Sequence, residues 1–339
     1  MTTAPMERDV PGANRLSDLA RSTFSTVGIL PILLAVVILY FASQESRFYG
    51  TANLTNVLRQ STYLIIVTLG QALVLISGGF DLSVGAVIAV TSVVSARYMS
   101  SHYAANPNSE LRSVLVGVGI GLFVGIIFGL VNGIGVARFQ VSPFIMTLGM
   151  ASVGTGFALY YTGGSPVSGM PPFFTREIGT GRWIEIPVPI YVAIIATILV
   201  LFLVGSTSWG RYLYAIGGNP KAAYLSGIPV GVYTASVYVM CSLLAAVAGL
   251  LLTARTSSGE PNLGGQFPLE SITAAVIGGI SLRGGEGRIM GAVLGALFIT
   301  ILTNGMNLIR MESYFQTIAI GVILILAVII DRLRDRWRV

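Results

Sequence analysis

Residues able to do chemistry are few in this chain, and one stands apart. Asp81 lies in Ile76-Ser-Gly-Gly-Phe-Asp-Leu-Ser-Val-Gly85, between two stretches, 60–80 and 82–96, that hold no Asp, Glu, Lys or Arg. Two roles fit such a carboxylate. It can cap a helix starting at Leu82, accepting from the first free N–H groups at the positive end of the dipole. Alternatively, it marks a broken helix dipping toward a polar pathway, because irregular backbone within a bilayer survives only where it lines a cavity or is buried in protein. Gly78, Gly79 and Gly85 allow the close backbone approach that such a break needs. A second segment, Val276 to Val293, echoes the first: GGFDLSVGAV and GGIS…GAV share a Gly-Gly start and a Gly-Ala-Val close. Short, glycine-interrupted segments at matching points of two halves point to a binding region near the membrane midplane. Arg283, Glu286 and Arg288 within it read as a hydrated cytoplasmic turn.

A third segment runs from Trp209 to Pro229 and carries its own punctuation. Asn219 suits an N-cap, Pro220 the first helical position, Ala222 and Ala223 the helix interior, and Gly227 a left-handed stop before Pro229. The expected product is a helix of about seven residues, roughly 10 Å long at 1.5 Å per residue. It is too short to span a membrane. It serves either as a surface connector or as a rigid knob that docks into another protein and transmits its motion. Asn132, in a span rich in glycine, either bonds between helices or faces a solute; Gly125, Gly129 and Gly133 in that span suit close helix packing.

Other chemistry is excluded by composition. The only lysine, Lys221, sits in GGNPKAA and does not satisfy the Gly-x-x-x-x-Gly-Lys-Ser/Thr pattern, so the chain does not hydrolyse ATP by that loop. One histidine, His102, in SSHYAANPNSE, reads as an exposed loop residue, and with Cys241 the sole cysteine neither a metal cluster nor an internal disulfide is expected. No residue qualifies as an enzyme's catalytic group. Ion-coupled carriers keep several ionisable groups within their spans, whereas here Asp81 alone qualifies.

These residues have to be positioned by a bilayer-embedded scaffold. Of 339 residues, 54% are hydrophobic and 10% charged, against roughly 25% charged in soluble chains. About 20 apolar residues cross the hydrocarbon core, and ten uncharged stretches meet or approach that length: 22–44, 60–80, 82–96, 113–137, 139–175, 186–210, 222–254, 271–282, 289–309 and 313–330. They are continuously apolar rather than alternating, which favours helices over a barrel. Ten spans put both termini on one side. With that side cytoplasmic, twelve basic residues lie inside and eight outside, in line with the positive-inside rule. The net charge of +6 thus reflects membrane orientation and a basic tail, and nucleic-acid binding is not expected. The expected organisation is a cytoplasmic N-terminal tail over 1–26, a transmembrane domain over 27–331 with its cytoplasmic docking loop over 208–230, and a basic cytoplasmic tail over 332–339.

Taken in order, SGGFDLSVG, SPFIMTLGM (142–150), YTGGSPV (161–167), GRYLYAIGGNPKAAYLSGI (210–228) and AAVIGGISLRGGEGRIMGAVLGAL (274–297) resemble the permease subunits of ATP-binding-cassette importers of the ribose/xylose/arabinose group. The similarity runs from about residue 29 to 331. It departs at Phe80, where isoleucine is common, and at Arg283-Gly-Gly-Glu. The resemblance implies an all-α membrane protein of about ten transmembrane helices with the vitamin-B12-permease (type II importer) fold. It further implies a bacterial inner-membrane location and a pairing with a second permease subunit, as a homodimer or with a paralogue. The other implied partners are a separate ATPase, which would hold ATP and Mg, and an extracytoplasmic sugar-binding protein; this chain itself would bind no cofactor. The coupling helix of the family falls on Gly218, Asn219, Pro220, Lys221, Ala222, Ala223, Ser226 and Gly227. Outer loops such as 163–187 would meet the binding protein. Candidate path residues are Asp81, Ser83, Asn132, Phe144 and Ser281. The expected solute is a neutral pentose or related polyol, with nucleosides and branched-chain amino acids as the alternatives within the superfamily and an ion-coupled carrier outside it.

Overall fold

Backbone polar groups cannot be left open in hydrocarbon, so the apolar stretches fold as helices. The computed structural model describes residues 30–336; the expected tail over 1–26 and the last three residues of the basic tail lie outside this range. Among the described residues the helices are α1 (Leu30–Gln44), α2 (Thr51–Ile76), α3 (Val84–Ala105), α4 (Glu110–Ala137), α5 (Pro143–Thr162), α6 (Val188–Ser206), α7 (Ser208–Gly218), α8 (Pro220–Leu225), α9 (Val230–Thr256), α10 (Phe267–Ile277), α11 (Ile289–Leu308) and α12 (Ser313–Arg336). A π-helical turn, Phe173–Thr180, and a two-residue hairpin, Arg182–Trp183 with Ile186–Pro187, lie between α5 and α6.

Seven helices (α2 to α6, α9 and α11) are long and apolar enough to cross a membrane, and α1, α10 and the apolar part of α12 are shorter apolar helices. Together they account for the ten stretches, in an all-α membrane protein. The innermost element is α2, buried on every side from Ser61 to Ile76. That setting explains how Thr62, Thr68 and Gln71 are carried in a span: they face protein rather than lipid.

The α4–α9 pairing rests on glycine. At Gly125 an added Cβ would lie 2.8 Å from both Ala246 Cβ and Ser242 O, and at Gly133 2.7 Å from Ala235 Cα. Gly129 abuts Val239 Cα in the same way. Backbones therefore meet directly along a little over two turns, as the Gly125, Gly129, Gly133 spacing predicts. At the opposite end of α2, Asn53 and Asn304 exchange amide hydrogen bonds of 3.0 and 2.9 Å, tying α2 to α11.

Two expectations are corrected. His102 is not in a loop: α3 continues past the charged Arg97 to Ala105, and His102 sits in its last turn, half-buried, with Nδ1 2.7 Å from Ser113 Oγ of α4. A helix need not stop where its apolar stretch does once it leaves the bilayer. Nor does a helix start at Leu82, since α3 begins at Val84.

Candidate functional site

The polypeptide after α2 does not turn straight into α3. Ser77 to Ser83 form an irregular segment that climbs back into the protein, with Gly78 left-handed at φ +83°. Its carboxylate, Asp81, is fully buried. Asp81 Oδ1 accepts from the Ser83 N–H (2.8 Å) and the Ser83 hydroxyl (2.6 Å), and Ser83 Oγ accepts from Asn132 Nδ2 of α4 (2.8 Å). Asp81 thus closes an Asx turn just before α3, instead of capping the helix one residue away; the carboxylate still lies at the positive end of α3. From α9, the Tyr238 hydroxyl donates to Phe80 O at 3.4 Å, and the Cys241 thiol lies beside the carboxyl. Asp81 Oδ2 and Asn132 Oδ1 are buried with no nitrogen or oxygen donor beside them. Asp81, Ser83 and Asn132 are therefore brought together as one network, all three fully buried. The other two path candidates lie apart from it: Phe144 is 55% exposed near the start of α5, and Ser281, in the turn after α10, is 8% exposed.

A second break follows α9. The chain from Ser257 to Gln266 descends along α3 without helix, as a short bridge at Gly259 followed by a run of turns over 261–266, and joins α10, which has only 11 residues. Glu260 N–H donates to Ser92 Oγ (3.1 Å), Gly259 lies against Ala96, and Gly264 and Gly85 meet backbone to backbone. Ser92 to Gly85 is seven residues of α3, about 10 Å of depth. Thus the eighth span is part non-helical turns and part helix. Sequence reasoning missed this segment because Arg255 and Glu260 mark it as extramembranous; Gly259, Pro261, Gly264 and Gly265, in an otherwise uncharged run, were the available signal.

The three glycine-rich segments converge at one junction on the side of the membrane where α2 and α10 end. Gly284 packs on the Gly78 backbone (2.8 Å from an added Cβ), Gly285 packs on Gly218 (2.7 Å), and Gly217 abuts Ile76 O. A hydrogen bond from Gly285 N–H to Ile76 O (2.8 Å) closes the contact. Gly284 and Gly285 hold φ of +87° and +73°, which side chains other than hydrogen resist. Tyr214 of α7 donates to Gly287 O at 2.7 Å, and burial pushes its phenol pKa up. Sequence reasoning found each segment but not their meeting, because residues 78, 217 and 284 are far apart in the chain.

The short helix α8 extends from this junction. Asn219 Oδ1 accepts from Ala222 N–H (3.0 Å), Pro220 opens the helix, and Gly227 closes it at φ +82°, with Ile228 N–H returning to Ala223 O (3.1 Å). Lys221, Tyr224 and Leu225 are exposed, Ala223 is buried, and Gly218, Ala222, Ser226 and Gly227 complete the expected segment around it. A cavity of about 600 Å³ opens beside it, reaching from Lys221 and Tyr224 past Gln140 to Gly79 and Tyr238. Chemically, this assembly has no nucleophile poised on a base. Among the described residues no group of three or more His, Cys, Asp or Glu is arranged to hold a metal. What it offers is mechanical: an exposed, capped rod whose root is locked, backbone against backbone, to the break after α2 and to the turn that follows α10.

A multi-pass helical protein with two broken spans and an exposed rod on their shared junction has the makings of a permease. Comparison with known proteins agrees: residues 53–328 match the family described as "Branched-chain amino acid transport system / permease component", and the chain belongs to that family. It is 38% identical to the ribose import permease protein RbsC of Escherichia coli (strain K12), over 88% of this chain and 92% of the relative. Identity to the ribose import permease protein RbsC of Bacillus subtilis (strain 168) is 37%, over 88% and 90%. With the D-allose transport system permease protein AlsC of E. coli (strain K12) it is 34%, over 89% and 90%. No solved structure matches the chain significantly.

Proposed function

We propose that this chain is the membrane-spanning subunit of an ATP-driven importer of a neutral monosaccharide, an aldopentose or a close relative. The carrying observation is the glycine junction, where the root of α8 meets the ends of both broken spans. A separate ATPase docks on α8 around Lys221, Tyr224 and Leu225. Its closure on ATP moves α8 and α7 together, and the junction passes that displacement to Gly78, in the break after α2, and to Gly284, in the turn at the far end of the broken eighth span. Differential affinity of the ATPase for the two states drives the change, since a partner shifts an equilibrium only by what it binds better. The partners also include an extracytoplasmic sugar-binding protein and a second permease copy, and both termini lie in the cytoplasm of a bacterial inner membrane. ATP and Mg stay on the ATPase, and this chain binds neither. Sugar as the solute is supported by the names of the relatives, which import ribose and transport D-allose.

The test is reconstitution in proteoliposomes with a partner ATPase and an extracytoplasmic sugar-binding protein. The expected result is uptake of labelled D-ribose, D-allose or D-galactose that requires ATP, the ATPase and the binding protein. Uptake against a gradient by this chain alone would overturn the reading, and uptake of leucine in place of sugars would redirect it to the amino acid transport for which the family is described.

A further inference from the structure

The network around Asp81 is sealed, so its polar atoms have no open face for a solute to touch. An open polar face does exist at similar depth, on the other side of the Asp81–Ser83 turn. A cavity of about 230 Å³ lies between the start of α3, the middle of α5 and the descending segment before α10. Leu82, Gly85, Ala89, Thr155, Asn262 and Pro268 form its main walls. Gly85 is twelve residues below Arg97 on α3, about 18 Å, which is more than halfway through a hydrocarbon core of ~30 Å. At that depth Thr155 and Asn262 are exposed, and neither side chain has a hydrogen-bond partner among the described residues. Polar side chains facing lipid in the bilayer interior are costly, and backbone that is not helical there has to line a cavity or be buried. Lipid is therefore excluded from this face, and its concave shape leaves room for water and a small solute.

We infer that this cavity is a solute subsite of the transport path, taking one neutral monosaccharide; the inference rests on the importer reading above. The volume corresponds to roughly seven or eight waters at ~30 Å³ each, the scale of a single small sugar ring rather than of an ion or a peptide. No charged side chain lines the cavity, so a charged solute would be left without a counter-ion. The Asn262 amide supplies two donors and an acceptor and Thr155 a hydroxyl, which match vicinal hydroxyls. Ala86, Ala89, Pro261 and Pro268 supply flat apolar walls for the C–H face of the ring. The Asp81–Ser83–Asn132 network then has a separate task, holding the start of α3 rigid at the floor of this subsite.

Cysteine accessibility tests the assignment, because Cys241 is the sole cysteine and is buried. Asn262→Cys and Thr155→Cys are made in the complete reconstituted transporter, with Ile198→Cys on exposed α6 as a lipid-facing control. A charged methanethiosulfonate reagent should modify the first two and spare the control. D-ribose, D-allose or D-galactose, whichever the wild-type complex imports, should slow modification of both about five-fold at roughly four times the Kd of the site. Modification that no imported sugar slows would overturn the subsite, as would failure of either cysteine to react. Uptake by the wild-type complex is measured separately, so loss of the sugar reading itself registers there and not in the labelling.

Discussion

Gly125→Ala is a severe perturbation for so small a change, and the structure sets its size. The added methyl would sit 2.8 Å from Ala246 Cβ and 2.8 Å from Ser242 O, both on α9. Carbon pairs are comfortable at about 3.5–4.0 Å, so α4 and α9 would have to part by roughly 0.7–1 Å. A gap of that width forfeits a quarter to a half of each contact along the seam. Overpacking of this kind costs about 1–3 kcal/mol. Gly119 gives an internal comparison: it lies on the same helix, and an added Cβ there meets nothing within 4 Å. Gly119→Ala should be neutral or should stabilise by up to about 1 kcal/mol through helix propensity. The two single variants are therefore expected to differ by about 1–4 kcal/mol. Thermal unfolding in detergent, followed by size-exclusion chromatography of the heated samples, reads the difference. Equal midpoints for the two variants would refute the argument that α4 and α9 meet backbone to backbone.

Three further outcomes follow. Ser83→Ala strands Asn132 Nδ2 and removes a donor from Asp81; a loss of about 1–3 kcal/mol is expected in the same unfolding assay, and an unchanged midpoint would show that the network holds nothing. Asn219→Ala removes the cap on Ala222 N–H and should weaken α8 by about 0.5–2 kcal/mol. Faster hydrogen exchange in 220–225 and weaker co-purification of the ATPase are the readouts, and unchanged exchange would contradict the capping role. At the end of α1, the Arg47 side chain and N–H hold the Glu45 carboxyl at a pKa of about 2, below its usual 4.5. Because this folded pKa is lowered, the contribution is present above pH 4.5 and lost only as pH falls through about 2. An NMR titration of Glu45 with a midpoint near 4.5 would rule that contact out.

Much of this molecule is legible in its residues alone. Apolar length and missing charge defined the spans, because hydrocarbon forces backbone bonding within each segment. The cap, proline and stop of α8 are local geometry, and Asn219, Pro220 and Gly227 act as their types predict. Glycine spacing on α4 foretold a close seam, though not its partner α9, for the same reason: the period of one helix is a property of that helix.

Tertiary structure decided whatever depended on which segments meet. Asp81 read as either a cap or a lining residue, and only the arrival of Asn132 from α4, with Tyr238 and Cys241 from α9, made it part of a sealed network. Residues 257–266 looked extramembranous by charge, yet they descend along α3 because Gly264 fits against Gly85 and Gly259 against Ala96. The meeting of Gly78, Gly217 and Gly284 was equally hidden, since contact between backbones leaves no mark on hydropathy. Side-chain types record what each segment needs from its surroundings; which neighbour meets that need is settled by packing over distances along the chain that no local pattern encodes.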